Sequence, residues 1–242
     1  MDLPGKPKAF SVERDRGITP VRNRSTDMGE IVMVRHGQAN TGAETEEDYD
    51  RLSELGHRQA RWLGDWLRTH EQPFDRTIRG TMRRHRETAE AMGFAAAEGD
   101  ARLNELDYFA LARDRLVHHG VEPPRTQEDF ATHVPGTFTA WHRAEIAGGE
   151  PFAAFESRIG TVLAEASMPG RRLLCVTSGG VIAMALRLAL GLDPERLAHV
   201  LLPIHNSSLH RLRVRPDGIY LSAFNAIPHL DPPDRAAART FL

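Results

Sequence analysis

Three short stretches carry the residue types from which chemistry could be built: Arg35-His36-Gly37, Arg83-Arg84-His85-Arg86 and Ser178-Gly179-Gly180. An imidazole is neutral near pH 7 and still a strong nucleophile, so His36 could take up a transferred group. A guanidinium binds an oxyanion through two parallel hydrogen bonds, and a Gly-Gly turn at a helix start can aim backbone amides at the same charge. These types together suit the handling of a phosphate-like group. None is decisive alone, since an Arg-His-Gly tripeptide arises by chance in roughly a few per cent of chains of this length. The single cysteine, Cys175, lies in the apolar run Leu173-Leu174-Cys175-Val176, where a thiol behaves as a small hydrophobe. The histidines, including His118-His119, lack metal-ligand spacing, so neither a metal nor another cofactor is expected.

The elements that must position these residues are set by periodicity. Ile31-Val32-Met33-Val34 is continuously apolar and stops at Arg35, the pattern of a buried parallel strand that delivers a functional loop at its C-terminal end. Ser53 is the expected N-cap of a helix over 55–69, and a basic helix is predicted over 82–92, stopped by Gly93. A short strand near 75–78 lies between them. A helix over 152–166 leads to a second buried strand, 172–177, and thence to the Ser178 loop. The helix after that loop, 181–190, is apolar nearly all round and must be buried. Segments 208–214 and 219–224 flank Pro216-Asp217-Gly218 and read as a closing hairpin. Residues 107–150, interrupted by Gly120, Pro123, Pro124, Pro135, Gly136 and Gly148-Gly149, suit a helical insertion above the sheet. The expected architecture is an α/β fold: a three-layer α/β/α sandwich with a mostly parallel central sheet and a helical cap insertion at about 107–150. Residues 1–27 read as a flexible leader and 28–242 as one domain, with Met28 an alternative biological start.

Thirty-one basic against 33 acidic residues give a net charge of −2, and no Lys/Arg tract marks a nucleic-acid or membrane partner. The apolar fraction of 40% supports one sizeable core without disulfides. No apolar stretch approaches the ~20 residues of a membrane span, and no signal peptide is evident, so a cytoplasmic location is expected. A homodimer is an open alternative to a monomer.

The strand before Arg35-His36-Gly37, the Leu55-Gly56 and Gln59-Ala60 pairs, and Arg84-His85-Arg86-Glu87-Thr88-Ala89 together resemble the histidine phosphatase superfamily, also called the phosphoglycerate mutase-like family. That family has Arg-His-Gly after its first strand and an arginine heading a helix of the form Arg-Ala-x-Gln-Thr-Ala. The resemblance covers about 30–105 and 150–225. It implies a metal-independent phosphomonoesterase in which His36 is the nucleophile that becomes phosphorylated. Arg35, Arg84 and the Gly37 amide would hold the phosphate, and Glu105, in Leu103-Asn104-Glu105, would serve as proton donor, with Asp107 a less favoured neighbour. A phosphorylated small molecule is the implied substrate.

The chain departs from the family pattern where most members carry a histidine in Ser/Thr-His-Gly-Gly, because it reads Thr177-Ser178-Gly179-Gly180. Ser178 and Gly179 would still donate hydrogen bonds to the phosphate. His205 is the expected replacement for the missing imidazole, ahead of His85, which stands where the family has alanine but adjoins Arg84 on a helix, where consecutive positions face different ways. Two alternatives stay open. A phosphoglycerate mutase is disfavoured because Leu106-Asp107-Tyr108-Phe109 lacks the Glu-Arg-Tyr-type motif of those enzymes, and a phosphate-binding pseudoenzyme is suggested by Ser178 itself.

Overall fold

The computed structural model describes residues 28–40, 43 and 45–241; the expected leader 1–27 lies outside them. Six strands form one mixed sheet in the order β3-β2-β4-β1-β5-β6. The strands are β1 (Gly29–Arg35), β2 (Arg76–Arg79), β3 (Glu98–Gly99), β4 (Arg172–Thr177), β5 (Leu209–Arg215) and β6 (Gly218–Ala226). The first four run parallel, whereas β5 pairs antiparallel with both β1 and β6. The predicted hairpin is therefore an antiparallel margin on a parallel sheet.

Alternation along β1 and β4 builds two cores. Ile31 and Met33, with Leu173 and Cys175, face one apolar cluster, while Val32 and Val34, with Leu174 and Val176, face the other. Burial on both faces is why these strands read as unbroken apolar runs. The second cluster is closed by α2 (Glu54–His70) and α3 (Arg83–Ala91), through Ala60, Leu63, Leu67, Ala89 and Met92. The first is closed by α6 (Phe152–Ala166) and α7 (Gly179–Leu190). Eight consecutive residues of α7, Gly179 to Leu186, are buried, as its apolar circumference requires. Ser53 caps α2 as predicted, its Oγ accepting the Gly56 amide at 3.0 Å.

The insertion holds two helices, α4 (Tyr108–His119) and α5 (Gln127–His142), whose Phe138 and Trp141 join the first cluster. The helix α5 runs through Pro135 and Gly136, where the sequence suggested a break. Proline forfeits one helical hydrogen bond, and here Arg115 on α4 packs across that turn and donates to the His133 carbonyl at 2.7 Å. A side chain at 136 would collide with Arg115, the nearest nitrogen lying 2.4 Å from a Cβ. The described residues also hold two short α-helices, α1 (Glu46–Tyr49) after β1 and α8 (Leu197–Leu201) after α7. Among the described residues no helix is long and apolar enough to cross a membrane.

Candidate active site

The strands β1, β4 and β2 end side by side. Arg35 is in register with Thr177, the His36 amide donates to the Thr177 carbonyl at 2.9 Å, and the Gly80 amide donates to the Val176 carbonyl at 3.0 Å. His36, Ser178 and Gly80, each the first residue beyond its strand, therefore meet at the C-terminal edge of the sheet, where α3 and α7 both begin. Each helix start gives amides to a carboxylate, α3 to Asp50 and α7 to Glu105.

His36 is 2% exposed. Its Nδ1 lies 2.7 Å from the Gly37 carbonyl, and since a carbonyl can only accept, Nδ1 carries the proton and Nε2 keeps its lone pair. Burial, then the charges of Arg84, Arg35 and His85, hold the ring well below its ordinary pKa, outweighing the opposite pull of the Gly37 carbonyl. The ring is thus a neutral imidazole with a defined free nitrogen, which can attack an electrophile.

The two arginines singled out from the sequence flank it. Arg35, 5% exposed, is held by an Nη1 hydrogen bond to the Ile204 carbonyl. Its Nε is a buried N–H without a partner and faces Gly179, where a Cβ would stand 3.7 Å from it. An unpaired buried donor of this kind is costly unless an acceptor arrives. Arg84, 1% exposed, pairs with Asp50 at 3.2 Å, and Asp50 also accepts the backbone amides of Arg83 and Arg84 at 2.8 and 3.0 Å. Tyr49 sits against both Arg84 and His36, its ring 5.0 Å from the Arg84 guanidinium and edge-on to His36 at 6.3 Å.

Glu105 comes after a turn of 3-10 helix, Ala101–Leu103, whose last carbonyl accepts from Thr177 Oγ1 at 2.6 Å. One carboxylate oxygen accepts the Gly180 amide at 2.8 Å and the other the Leu106 amide at 3.0 Å. The carboxyl group is thereby fixed at the N-terminus of α7 beside Ser178. Asp107 instead caps α4 through the Ala110 amide at 2.9 Å.

Two glycines have roles other than those expected from the sequence. The Gly37 amide donates to Thr88 Oγ1 at 3.1 Å, and Thr88 donates in turn to the Arg84 carbonyl at 2.7 Å. A Cβ at residue 37 would lie 2.4 Å from the Gly56 carbonyl oxygen, so glycine is needed for the approach of α2 to the His36 loop. Gly180 gives its amide to Glu105. Gln59 is likewise a brace: it accepts from the Gln38 amide at 2.8 Å and donates to the Ala238 carbonyl at 2.7 Å.

The imidazole that reaches Ser178 is that of His85, with Nε2 2.6 Å from Ser178 Oγ and its ring 5.8 Å from that of His36. His205 is engaged elsewhere. Its amide and Nδ1 meet Asn225 at 2.8 and 3.1 Å, and its ring stands edge-on to Phe241 at 5.4 Å. Residues 84 and 85 both border the site, against expectation, because consecutive helix positions are about 100° apart and not opposed, and the N-terminus of α3 points into the site. Sequence reasoning also passed over Tyr49, Asp50, Thr88 and Ser207, whose amide donates to the His36 carbonyl at 3.1 Å from a left-handed backbone, φ 58°. Only Thr88 carried a signal, through the Thr-Ala of the motif. Among the described residues no three His, Cys, Asp or Glu side chains gather as metal ligands.

The fold is an α/β sandwich whose imidazole, guanidinium and carboxyl groups gather at the strand ends, and a family model places it. The model for the histidine phosphatase superfamily (branch 1) matches residues 31–227, and the chain belongs to that superfamily as an enzyme of its phosphatase class. Among solved structures, a mycobacterial protein described as hydrolase 2 is 24% identical, with TM-score 0.63 over 87% of this chain and 96% of its own. Mycobacterial glucosyl-3-phosphoglycerate phosphatase is 26% identical, with TM-score 0.58 over 82% and 99%. A phosphoserine phosphatase variant from Entamoeba histolytica in complex with phosphoserine is 16% identical, with TM-score 0.62 over 84% and 99%. No curated protein sequence matches the chain.

Proposed function

We propose that the protein hydrolyses phosphate monoesters of small molecules through a phosphohistidine at His36. The observation that carries this reading is the hydrogen bond from His36 Nδ1 to the Gly37 carbonyl, which leaves Nε2 as a neutral nucleophile between two arginines. In the first half-reaction Nε2 bonds to phosphorus as the ester P–O bond breaks, and Glu105, protonated at that stage, gives its proton to the departing alkoxide. In the second, the Glu105 carboxylate takes a proton from water, whose oxygen attacks the phosphohistidine. Inorganic phosphate leaves, and both residues return to their starting states. Arg35 and Arg84 hold the phosphoryl oxygens in both steps, where negative charge develops. One carboxyl group serves both halves, so no metal-bound water is required.

Relatives of similar fold bear the names of phosphatases for phosphoserine and for glucosyl-3-phosphoglycerate, which favours a phosphorylated metabolite. The α4 and α5 insertion is the part of the chain suited to choosing among such molecules. Turnover of p-nitrophenyl phosphate by the wild type, lost in His36→Ala with an unchanged circular dichroism spectrum, is the expected result. Equal turnover by both proteins would overturn the proposal.

A further inference from the structure

We infer that His85 acts through Ser178 as the positioning imidazole of this site, orienting the Ser178 hydroxyl toward the phosphoryl group carried by His36. The inference rests on the proposed phosphohistidine chemistry and adds to it a pair of residues, 93 positions apart, that meet at 2.6 Å with both side chains fully buried.

The direction of that hydrogen bond is fixed by the other end of the ring. His85 Nδ1 is buried without a partner, facing Gly80, where a Cβ would stand 2.0 Å from it. Burial, with Arg84 and Arg79 nearby, keeps the ring neutral, so one nitrogen carries a proton and the other does not. A proton on Nδ1 would leave a buried N–H with no acceptor, whereas a bare Nδ1 against the Gly80 Cα forgoes only an optional acceptor role. The proton therefore sits on Nε2, which donates to Ser178 Oγ. Ser178 then receives one hydrogen bond and has its own proton left to give.

The Ser178 oxygen is not used in the way its position would suggest. Ser178 is the N-cap of α7, where a serine side chain ordinarily accepts from the helix's first amides, yet its hydroxyl makes no such bond. It stands instead next to the strand end that carries His36, one residue beyond the Thr177 carbonyl that accepts the His36 amide. A hydroxyl fixed there by His85 can donate to an oxygen of a phosphoryl group on His36 Nε2, and it can do so without reorganising as the charge grows.

A space-filling role for His85 fits these observations poorly. An apolar side chain would fill the volume beneath Gly80 without burying two ring nitrogens, one of them unsatisfied, and without removing the Ser178 hydroxyl from its capping role. Residues 80, 85 and 178 make sense as a set: glycine gives the ring room, the ring orients the serine, and the serine faces the reacting group.

The test measures kcat and KM for p-nitrophenyl phosphate in the wild type, His36→Ala, His85→Ala, Ser178→Ala, the His85→Ala/Ser178→Ala double variant, and His85→Gln, whose amide nitrogen can replace the Nε2 donor. Ser178→Ala should lose on the order of 10² in kcat, as removal of one donor to developing charge does. His85→Ala should lose at least about tenfold, mostly in kcat, with His85→Gln recovering part of the loss. The double variant should be no slower than Ser178→Ala, because one residue works through the other. A further double variant, His85→Ala with Ser178→His, returns an imidazole to the site from α7 and should exceed His85→Ala. A folded His85→Ala enzyme with wild-type kcat would overturn the inference, and so would losses that multiply in the double variant. If His85→Ala fails to fold, His85→Gln and Ser178→Ala decide, and wild-type kcat in both overturns it. Wild-type turnover abolished by His36→Ala alongside such negative results removes this inference alone, whereas a wild type without turnover removes the phosphatase reading and this inference with it.

Discussion

Mild acid should weaken this protein well before its carboxylates titrate. His210 and His229 are fully buried, at 0% and 1% exposure, and burial holds each near a pKa of about 3, with Arg35 and Arg235 respectively adding to the effect. Their nitrogens are engaged with Ser208 and Ser207, the residues that carry the backbone behind His36. Unfolding releases each to an ordinary pKa near 6.5. The folded values are depressed, so the stability is intact above about pH 6.5 and falls as the pH drops toward about 3, because the unfolded chain binds protons that the folded chain refuses. From pH 7 to 5.5 each histidine costs about 1.2 kcal/mol, and the pair about 2.5 kcal/mol. That is a large share of the stability of an ordinary domain, about 5–15 kcal/mol. His36 and His85, also held low by burial and nearby arginines, push the same way. Carboxylates held low, such as Glu87, act only below about pH 4.5. Urea unfolding followed by circular dichroism at pH 7.0, 6.5, 6.0 and 5.5 measures this directly, and His229→Gln should shrink the fall by about 1.2 kcal/mol. Stability that stays flat or rises between pH 7 and 5.5 would refute the reasoning.

The site itself sets three further outcomes. Arg84→Ala should weaken binding of inorganic phosphate or vanadate by about 1.5–3 kcal/mol, roughly 10- to 150-fold by calorimetry, and unchanged affinity would remove Arg84 from the phosphate site. Glu105→Gln should slow esters with poor leaving groups much more than p-nitrophenyl phosphate, whose leaving group scarcely needs a proton; the same loss at the phosphorylation step for both would argue against Glu105 as the acid. Gly37→Ala, which would set a Cβ 2.4 Å from the Gly56 carbonyl oxygen, should cost about 1–3 kcal/mol in urea unfolding and displace the carbonyl that fixes the His36 ring.

What could be read from the sequence was whatever rests on burial and on one face of one element. The runs 31–34 and 172–177 had to be buried strands, and their ends mark His36 and Ser178 as the residues that follow them. The helix bounds over 152–166 and the cap at Ser53 came from periodicity and hydrogen-bonding chemistry in the same way. Illegible was whatever depends on which elements meet. The meeting of α3 with the His36 loop turned an expected phosphate amide into a partner of Thr88. Asp50 gave no signal because its role exists only once the loop after β1 meets the start of α3. His205 lay in a loop near the site, but Asn225 and Phe241 hold it, while His85, set aside on a rule about neighbouring helix positions, enters from a helix end aimed at the site. Pro135 read as a break because nothing in its own segment reveals Arg115 packed across that turn.

The central claim is covalent chemistry at one nitrogen. Rapid mixing of the enzyme with a phosphate ester, quenched in base, should trap a phosphate that is stable to alkali and labile to acid, that maps to His36, and that decays no slower than steady-state turnover. The His36→Ala protein should trap none. Turnover with no trapped phosphate under conditions where its formation outruns its decay, or a phosphate that maps to any other residue, would contradict the account.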